Sequence, residues 1–455
     1  MVWQKYLDAE QARFVQELLA FVRIPSVSAK PENIPDVVQA AEWVAARLTA
    51  AGVEGAEVLP TEGHPVVCGH WLHAGSEKPT ILIYGHFDVQ PAEPFDLWHS
   101  PPFEPEIRDG KVWGRGASDD KGGMMVPILA VEAMLKTTGR LPVNVKFFFE
   151  GQEEIGSPDL PPFVAANVDR LSADMIFSAD GLQYAPDQPQ IVEALKGLVK
   201  AEIVVQGPRS DQHSGLHGGG IANPAMALAH LLASMKSADG LVTVAGFYDD
   251  VIDLGPEDRA AIARIPYDEV SYLAETGAPA VFGEPGYTTR ERLWARPTLD
   301  VNGLTSGWQG IGSKTVLPAE ARAKITCRLV ADQDPTRVLA TLAAHVQAHC
   351  PAGVTAHLEP GQGGAGPFLV PSGHNATGIA AQVLEEVYGK APYRTRLGGS
   401  IPVMTTLLGE LGVHAVMFGF SHDDENLHAP NEFFRLDAFR KGQEAYVRLL
   451  QRLGA

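Results

Sequence analysis

The chain has 455 residues, of which 45% are hydrophobic, and a formal net charge of −19. That length is too great for one ordinary core and predicts two or more domains, and the apolar fraction is that of a globular protein. The acidity argues against nucleic acid or an anionic membrane as the main partner.

The opening segment MVWQKYLDAEQARFVQELLAFVRIPSVS carries acids where a signal peptide needs an apolar core, and its periodicity predicts an amphipathic helix. No later run approaches the roughly 18 apolar residues of a membrane span. The three cysteines, Cys68, Cys327 and Cys350, are far apart and form no C-x-x-C pair, which fits a reducing compartment and not a thiolate zinc site. A cytoplasmic protein is expected.

A second helix, DVVQAAEWVAARLTAAG, is predicted to stop at Gly52. TILIYGH, VNVKFFFE and MIFSAD read as buried strands, with a helix over GGMMVPILAVEAMLKTTG. Apolar runs with little alternation, separated by helices, predict an α/β fold: a mostly parallel sheet with helices on both faces. Near Gly197 the character changes. GLVKAEIVVQGP alternates, NPAMALAHLLASMKSADG is helical, and residues 246–297 look irregular. LDVNGLTSGW and EARAKITCRLV read as strands and PTRVLATLAAHVQAHC as a helix, before the glycine-rich GQGGAGP. The helix–strand style then resumes through HNATGIAAQVLEEVYG, HAVMFGFS and RLDAFRKGQEAYVRLLQRLG. The expected organisation is a catalytic α/β domain in two pieces, residues 1–196 and 367–455, interrupted by an α+β domain, residues 197–366.

Five places share one grammar, an apolar run that ends in His, Asp or Glu. They yield His86 with Asp88, Asp119 with Asp120, Glu153 with Glu154, Asp180, and His428. One such ending is ordinarily a solvated turn. Five are hard to dismiss, because an open α/β sheet binds ligands at the carboxyl ends of its strands. Two histidines and several carboxylates suit a divalent ion such as zinc, manganese or cobalt, and the inventory suffices for two ions. Two ions can acidify a bridging water, and a separate base must take its proton. That division of labour explains the adjacent glutamates: alternation of extended chain would send one to the metals and the other to the water. Asp88 is placed to orient the His86 imidazole. GRGASDDKGG is no dinucleotide loop, since Asp119 and Asp120 fall where small residues are needed.

Together GHFDVQP, GRGASDDKGG, EGQEEIGS, SADG and HAPNE resemble the dinuclear zinc exopeptidase family, in its carnosinase-type dipeptidase branch. Its wider relatives include acetylornithine deacetylase, succinyl-diaminopimelate desuccinylase and glutamate carboxypeptidase. The resemblance implies His86 and His428 as ligands of different ions, Asp119 as the bridge, Glu154 and Asp180 as further ligands, and Glu153 as general base. It also implies a cis peptide bond on one side of Asp120. The inserted domain resembles the family's lid and dimer contact, which implies a homodimer. His213, in SDQHSGLHGG, would reach the neighbouring subunit's oxyanion. Arg328 and the loop containing Gly399 and Ser400 match positions that hold the substrate's carboxylate, and Asn302 belongs to the same region. The function implied is hydrolysis of a small peptide by a dipeptidase. The alternative is an N-acyl-amino-acid deacylase or desuccinylase using the same two-metal site. A serine hydrolase is disfavoured, because neither HSG nor GGS fits G-x-S-x-G. A protein that only binds metal or peptide would not require Glu153.

Overall fold

The runs Ile81–Tyr84 and Val145–Phe149 leave almost no polar face. In the computed structural model, which describes residues 1–455, they pair in parallel at the middle of a six-stranded sheet. Across the sheet the order is Glu54–Leu59, Val66–Trp71, Asn144–Glu150, Thr80–His86, Met175–Ser178 and Ala415–Met417. The last four are parallel, and the first two are added antiparallel. The sheet is therefore mixed but largely parallel. The antiparallel pair had no counterpart in the sequence reading, because Glu54–Leu59 is half-exposed and lacks a continuous apolar run.

The register sets the rim. His86 lies opposite Glu150, and Tyr84 opposite Ser178, so three strands release their chain ends side by side. The helix Gly123–Thr138 is apolar all round and buries every residue from Gly123 to Met134. Its one buried acid, Glu132, is satisfied by Arg13, Arg47 and the Tyr6 hydroxyl. The helix Ile34–Ala51 stops at Gly52, whose φ of +95° closes the last turn without a Cβ penalty. The amphipathic helix Leu436–Leu453 packs on Gly123–Thr138. The cis bond joins Asp119 to Asp120.

This sheet belongs to a unit made of Met1–Glu193, Val370–Thr395 and Ile401–Ala455; a second unit comprises Ala194–Leu369 and Arg396–Ser400. The second unit has a four-stranded antiparallel sheet in the order Thr298–Ser306, Glu320–Leu329, Gly197–Gln206 and Thr355–Pro360. Its core joins Ile203, Ala323 and Ile325 to Leu231 and Leu342 of the helices Pro224–Met235 and Pro335–Ala348. The segment 246–297 is only partly irregular. It holds the short helices Pro256–Ala263, Glu269–Thr276 and Thr289–Ala295, and the last two start on side-chain caps from Asp268 and Thr288. No helix of the chain is long and apolar enough to cross a membrane. All three cysteines are free.

Candidate metal centre

The ionisable groups of the first unit's rim arrive on several elements, with Asp119 and Asp120 sharing one turn and Glu153 and Glu154 another. His86 ends its strand, and no Cβ fits at the preceding residue: at Gly85 it would lie 2.8 Å from an Asp120 oxygen and 2.9 Å from Met124 Cβ. Asp119 sits in a tight turn before the helix Gly123–Thr138. Asp180 follows Met175–Ser178, and His428 lies in a loop with φ +58°, a left-handed conformation that costs a non-glycine residue about 1–2 kcal/mol.

Asp119 is the centre of the arrangement. Its Oδ1 is 3.0 Å from His86 Nε2, and its Oδ2 is 3.0 Å from His428 Nε2. His428 Nε2 also lies 3.2 Å from a Glu154 oxygen. The donor atoms thus form two groups, His86–Asp119–Asp180 and Asp119–Glu154–His428, with all atoms of a group within 4.8 Å of one another. Both groups share Asp119, and each has one imidazole and two carboxylates. Nitrogen and oxygen donors without thiolate suit a borderline divalent ion.

The electrostatics point the same way. Burial and the nearby Asp119 push Asp180 up to about 6 and Glu154 to about 7. Burial likewise raises Glu153, reinforced by Asp180, Glu154 and Asp119 against the pull of His86. Hydrogen bonds to Asp119 and Glu154 raise His428 to about 10. Burial opposes a charge on His86, yet Asp119 and Asp88 still raise it. Asp119 is held low by the two imidazoles against its own burial. Crowded carboxylates that borrow charge from two imidazoles are what a bound cation would relieve.

The adjacent glutamates are held otherwise than strand alternation suggested. The strand ends at Glu150, and Glu153–Ile155 forms a single 3-10 turn. The fully buried Asp88 fixes that turn: its Oδ1 accepts from the Glu153 amide and its Oδ2 from the Glu154 amide, both at 3.1 Å. The same Oδ1 lies 3.4 Å from His86 Nδ1. His86 Nδ1 itself donates to the Asp88 backbone carbonyl at 3.2 Å, so Asp88 flanks the imidazole with its carbonyl and its carboxylate while the carboxylate holds both glutamate amides. Gln90 donates to Glu154 at 2.7 Å.

Sequence reasoning missed the support beneath Asp119. The buried Glu432 accepts from the amides of Gly116, Ser118 and Asp119 at 2.8, 2.9 and 3.1 Å, and from Arg115 Nη1 at 2.6 Å. Its signal was present: it is the acid of HAPNE, four residues after His428. Asp120 also lies outside both donor groups. It is buried, and its Oδ2 accepts from the His86 amide at 3.3 Å.

The other expected site residues belong to the second unit. Arg328 Nη1 donates to Ser400 Oγ at 3.2 Å, and that hydroxyl donates to the Lys196 carbonyl. Gly399 is exposed, with open space where a Cβ would stand. Asn302 is exposed at the irregularity between Val301 and Gly303 in the edge strand. His213 is exposed on the short strand Gln212–His213, and its Nδ1 accepts from the Gly215 amide at 3.0 Å.

The model of the family described as Peptidase family M20/M25/M40 matches residues 82–452. The Cys-Gly metallodipeptidase dug1 of Schizosaccharomyces pombe is 31% identical over 468 residues, spanning 99% of this chain and 97% of that protein. A solved structure described as an M20 family metallo-carboxypeptidase, Sso-CP2 from Sulfolobus solfataricus, superimposes with a TM-score of 0.83 at 32% identity, covering 97% of this chain and 99% of that one. Human carnosine dipeptidase 1 superimposes with a TM-score of 0.78 at 27% identity, covering 99% and 98%.

Proposed function

The chain belongs to peptidase family M20/M25/M40, and from that premise we propose that it hydrolyses the peptide bond of dipeptides with the help of two divalent metal ions. The observation that carries this reading is the pair of donor groups sharing Asp119, one imidazole facing each of its oxygens at 3.0 Å. His86, Asp119 and Asp180 would hold one ion, and Asp119, Glu154 and His428 the other. Zinc fits this donor set best, with manganese or cobalt as substitutes. Such ions, when bound, supply an acidified water and an electrophile for the scissile carbonyl.

The remaining work falls to the chain itself. Glu153 takes a proton from the attacking water and delivers it to the leaving amine. Asp88 keeps Glu153 on station by holding the amides of both glutamates, and it fixes the His86 ring. Arg328, Ser400, the Gly399 backbone and Asn302 bind the substrate's carboxylate and adjacent backbone. Donation to the developing oxyanion comes from His213 of the partner subunit. We assign residues 197–366 as lid and dimer contact of a cytoplasmic homodimer, between the catalytic pieces 1–196 and 367–455.

Dipeptides are favoured over N-acyl-amino acids because the Schizosaccharomyces and human relatives are both described as dipeptidases. A carboxypeptidase is the second reading, supported by the description of the Sulfolobus structure. The test is a panel of dipeptides, tripeptides and N-acyl-amino acids given to the metal-loaded enzyme and to Glu153→Gln. Dipeptides should be the best substrates. Glu153→Gln should keep two metal equivalents and lose turnover by about 10³-fold or more. Turnover confined to acyl-amino acids would refute the dipeptidase reading, and an active Glu153→Gln would remove Glu153 from the mechanism.

A further inference from the structure

The second unit contains a cavity of about 450 Å³, and every residue lining it belongs to that unit. Its charge is unbalanced. Five cationic side chains line it, Lys196, Lys236, Arg292, Arg296 and Arg328, against two acids, Glu284 and Asp300. Both acids are already engaged. Asp300 lies 3.4 Å from Lys236 Nζ, and Glu284 takes Arg296 through two bonds of 2.9 and 2.7 Å. The other three cations meet only neutral acceptors. Lys196 Nζ donates to the Arg292 carbonyl at 2.9 Å, Arg292 Nε to the Glu284 carbonyl at 2.9 Å, and Arg328 Nη1 to the Ser400 hydroxyl at 3.2 Å.

Lys196 is 3% exposed, and a buried ammonium is ordinarily paired with an acid. Its bond to the Arg292 carbonyl uses one of its three N–H groups. Burial, with Arg328 nearby, pushes it down to about 7, and an anion beside it would restore its charge. Arg292 offers Lys196 its carbonyl, and its guanidinium lines the same cavity. Apolar wall stands beside these cations: Val242 is buried, Val281 half-buried, and Phe282 is 64% exposed. An exposed phenylalanine gains by being covered. Cations beside an apolar wall suit a carboxylate on a short hydrocarbon stem better than a fully hydrated anion.

We propose that this cavity binds a small aliphatic carboxylate, with the anion held by Lys196 and Arg292 and the hydrocarbon stem against Val242, Val281 and Phe282. The site is complete within the second unit and is independent of the peptidase reading. The carboxylate would give Lys196 the counter-ion it lacks, through a charge-assisted hydrogen bond. Arg328, assigned above to a substrate's carboxylate, is not one of its two anchors.

The test uses butyrate and butyramide, which differ in charge but hardly in shape, titrated by NMR against the zinc-loaded full-length protein, with inorganic phosphate as the hydrated anion. Butyrate should bind at least about tenfold more tightly than either. Lys196→Met should abolish that advantage, and Lys196→Arg should restore it. Arg292→Gln, at a half-buried position, should also reduce it, and it decides the matter should Lys196→Met fail to fold. Equal affinity for butyrate and butyramide would overturn the proposal, as would phosphate binding as tightly as butyrate. A butyrate advantage that survives Arg292→Gln and any folded Lys196→Met would put the carboxylate elsewhere, on zinc or on Arg328, and would overturn it too.

Discussion

Replacing Glu432 with glutamine isolates the support of the shared ligand from the ligand itself. The carboxylate accepts from the amides of Gly116, Ser118 and Asp119 at 2.8, 2.9 and 3.1 Å and from Arg115 at 2.6 Å. A glutamine keeps one acceptor oxygen and turns an NH₂ toward groups that are themselves donors. Arg115, 1% exposed, then loses its carboxylate partner. Breaking a buried ion pair from one side costs about 3–5 kcal/mol, because the remaining charge stays buried. Removing a group that orients a ligand lowers metal affinity by about 10–100-fold. Urea unfolding of the metal-free protein reads the first effect, and equilibrium dialysis against zinc the second. A Glu432→Gln protein that unfolds like the wild type and binds zinc as tightly would refute the claim that Glu432 positions Asp119.

Asp119→Ala should leave neither donor group complete and reduce bound metal below one equivalent; two retained equivalents would show that Asp119 is not shared. Asp88→Asn, assayed at saturating zinc so that its weakened metal affinity is overcome, should lower kcat by about 10²-fold, since an amide cannot accept from both glutamate amides; an unchanged kcat would remove it from the machinery. A chelator should abolish turnover, and zinc, manganese or cobalt should restore it; activity indifferent to chelation would contradict the two-metal reading. Glu150 supplies a pH test. Burial pushes its carboxyl up to about 8, so the folded state binds a proton that the unfolded state releases near 4.5. Its contribution to stability therefore falls as pH rises from 4.5 through 8. Glu150→Gln should remove that fall and gain on the wild type above pH 8. One oxygen of Glu150 accepts from Tyr84 and Ser157 while the other has no partner, so an amide fits the same place. Parallel pH–stability curves for the two proteins would contradict this.

Much of the centre was legible because its groups sit at the ends of apolar runs. His86 closes TILIYGH, and Asp180 closes MIFSAD; strand geometry delivers both to the same rim. What hid from the sequence depends on contacts across long separations. Asp88 reaches Glu153 and Glu154 across more than 60 residues, and those bonds, not strand alternation, aim the two carboxylates. Glu432 reaches the Asp119 turn over more than 300 residues, so HAPNE displays the acid without showing which backbone it holds. In 246–297 the helix starts at Asp268 and Thr288 were masked by the surrounding Pro and Gly. The edge strand Glu54–Leu59 was missed for a different reason: its half-exposed surface gives no periodic signal.

The central claim is that two metal ions share Asp119. Anomalous scattering from crystals of the zinc-loaded protein tests it most directly. Two zinc peaks are predicted, one contacted by His86, Asp119 and Asp180, the other by Asp119, Glu154 and His428. A single peak, or two peaks with Asp119 on only one of them, would contradict the account.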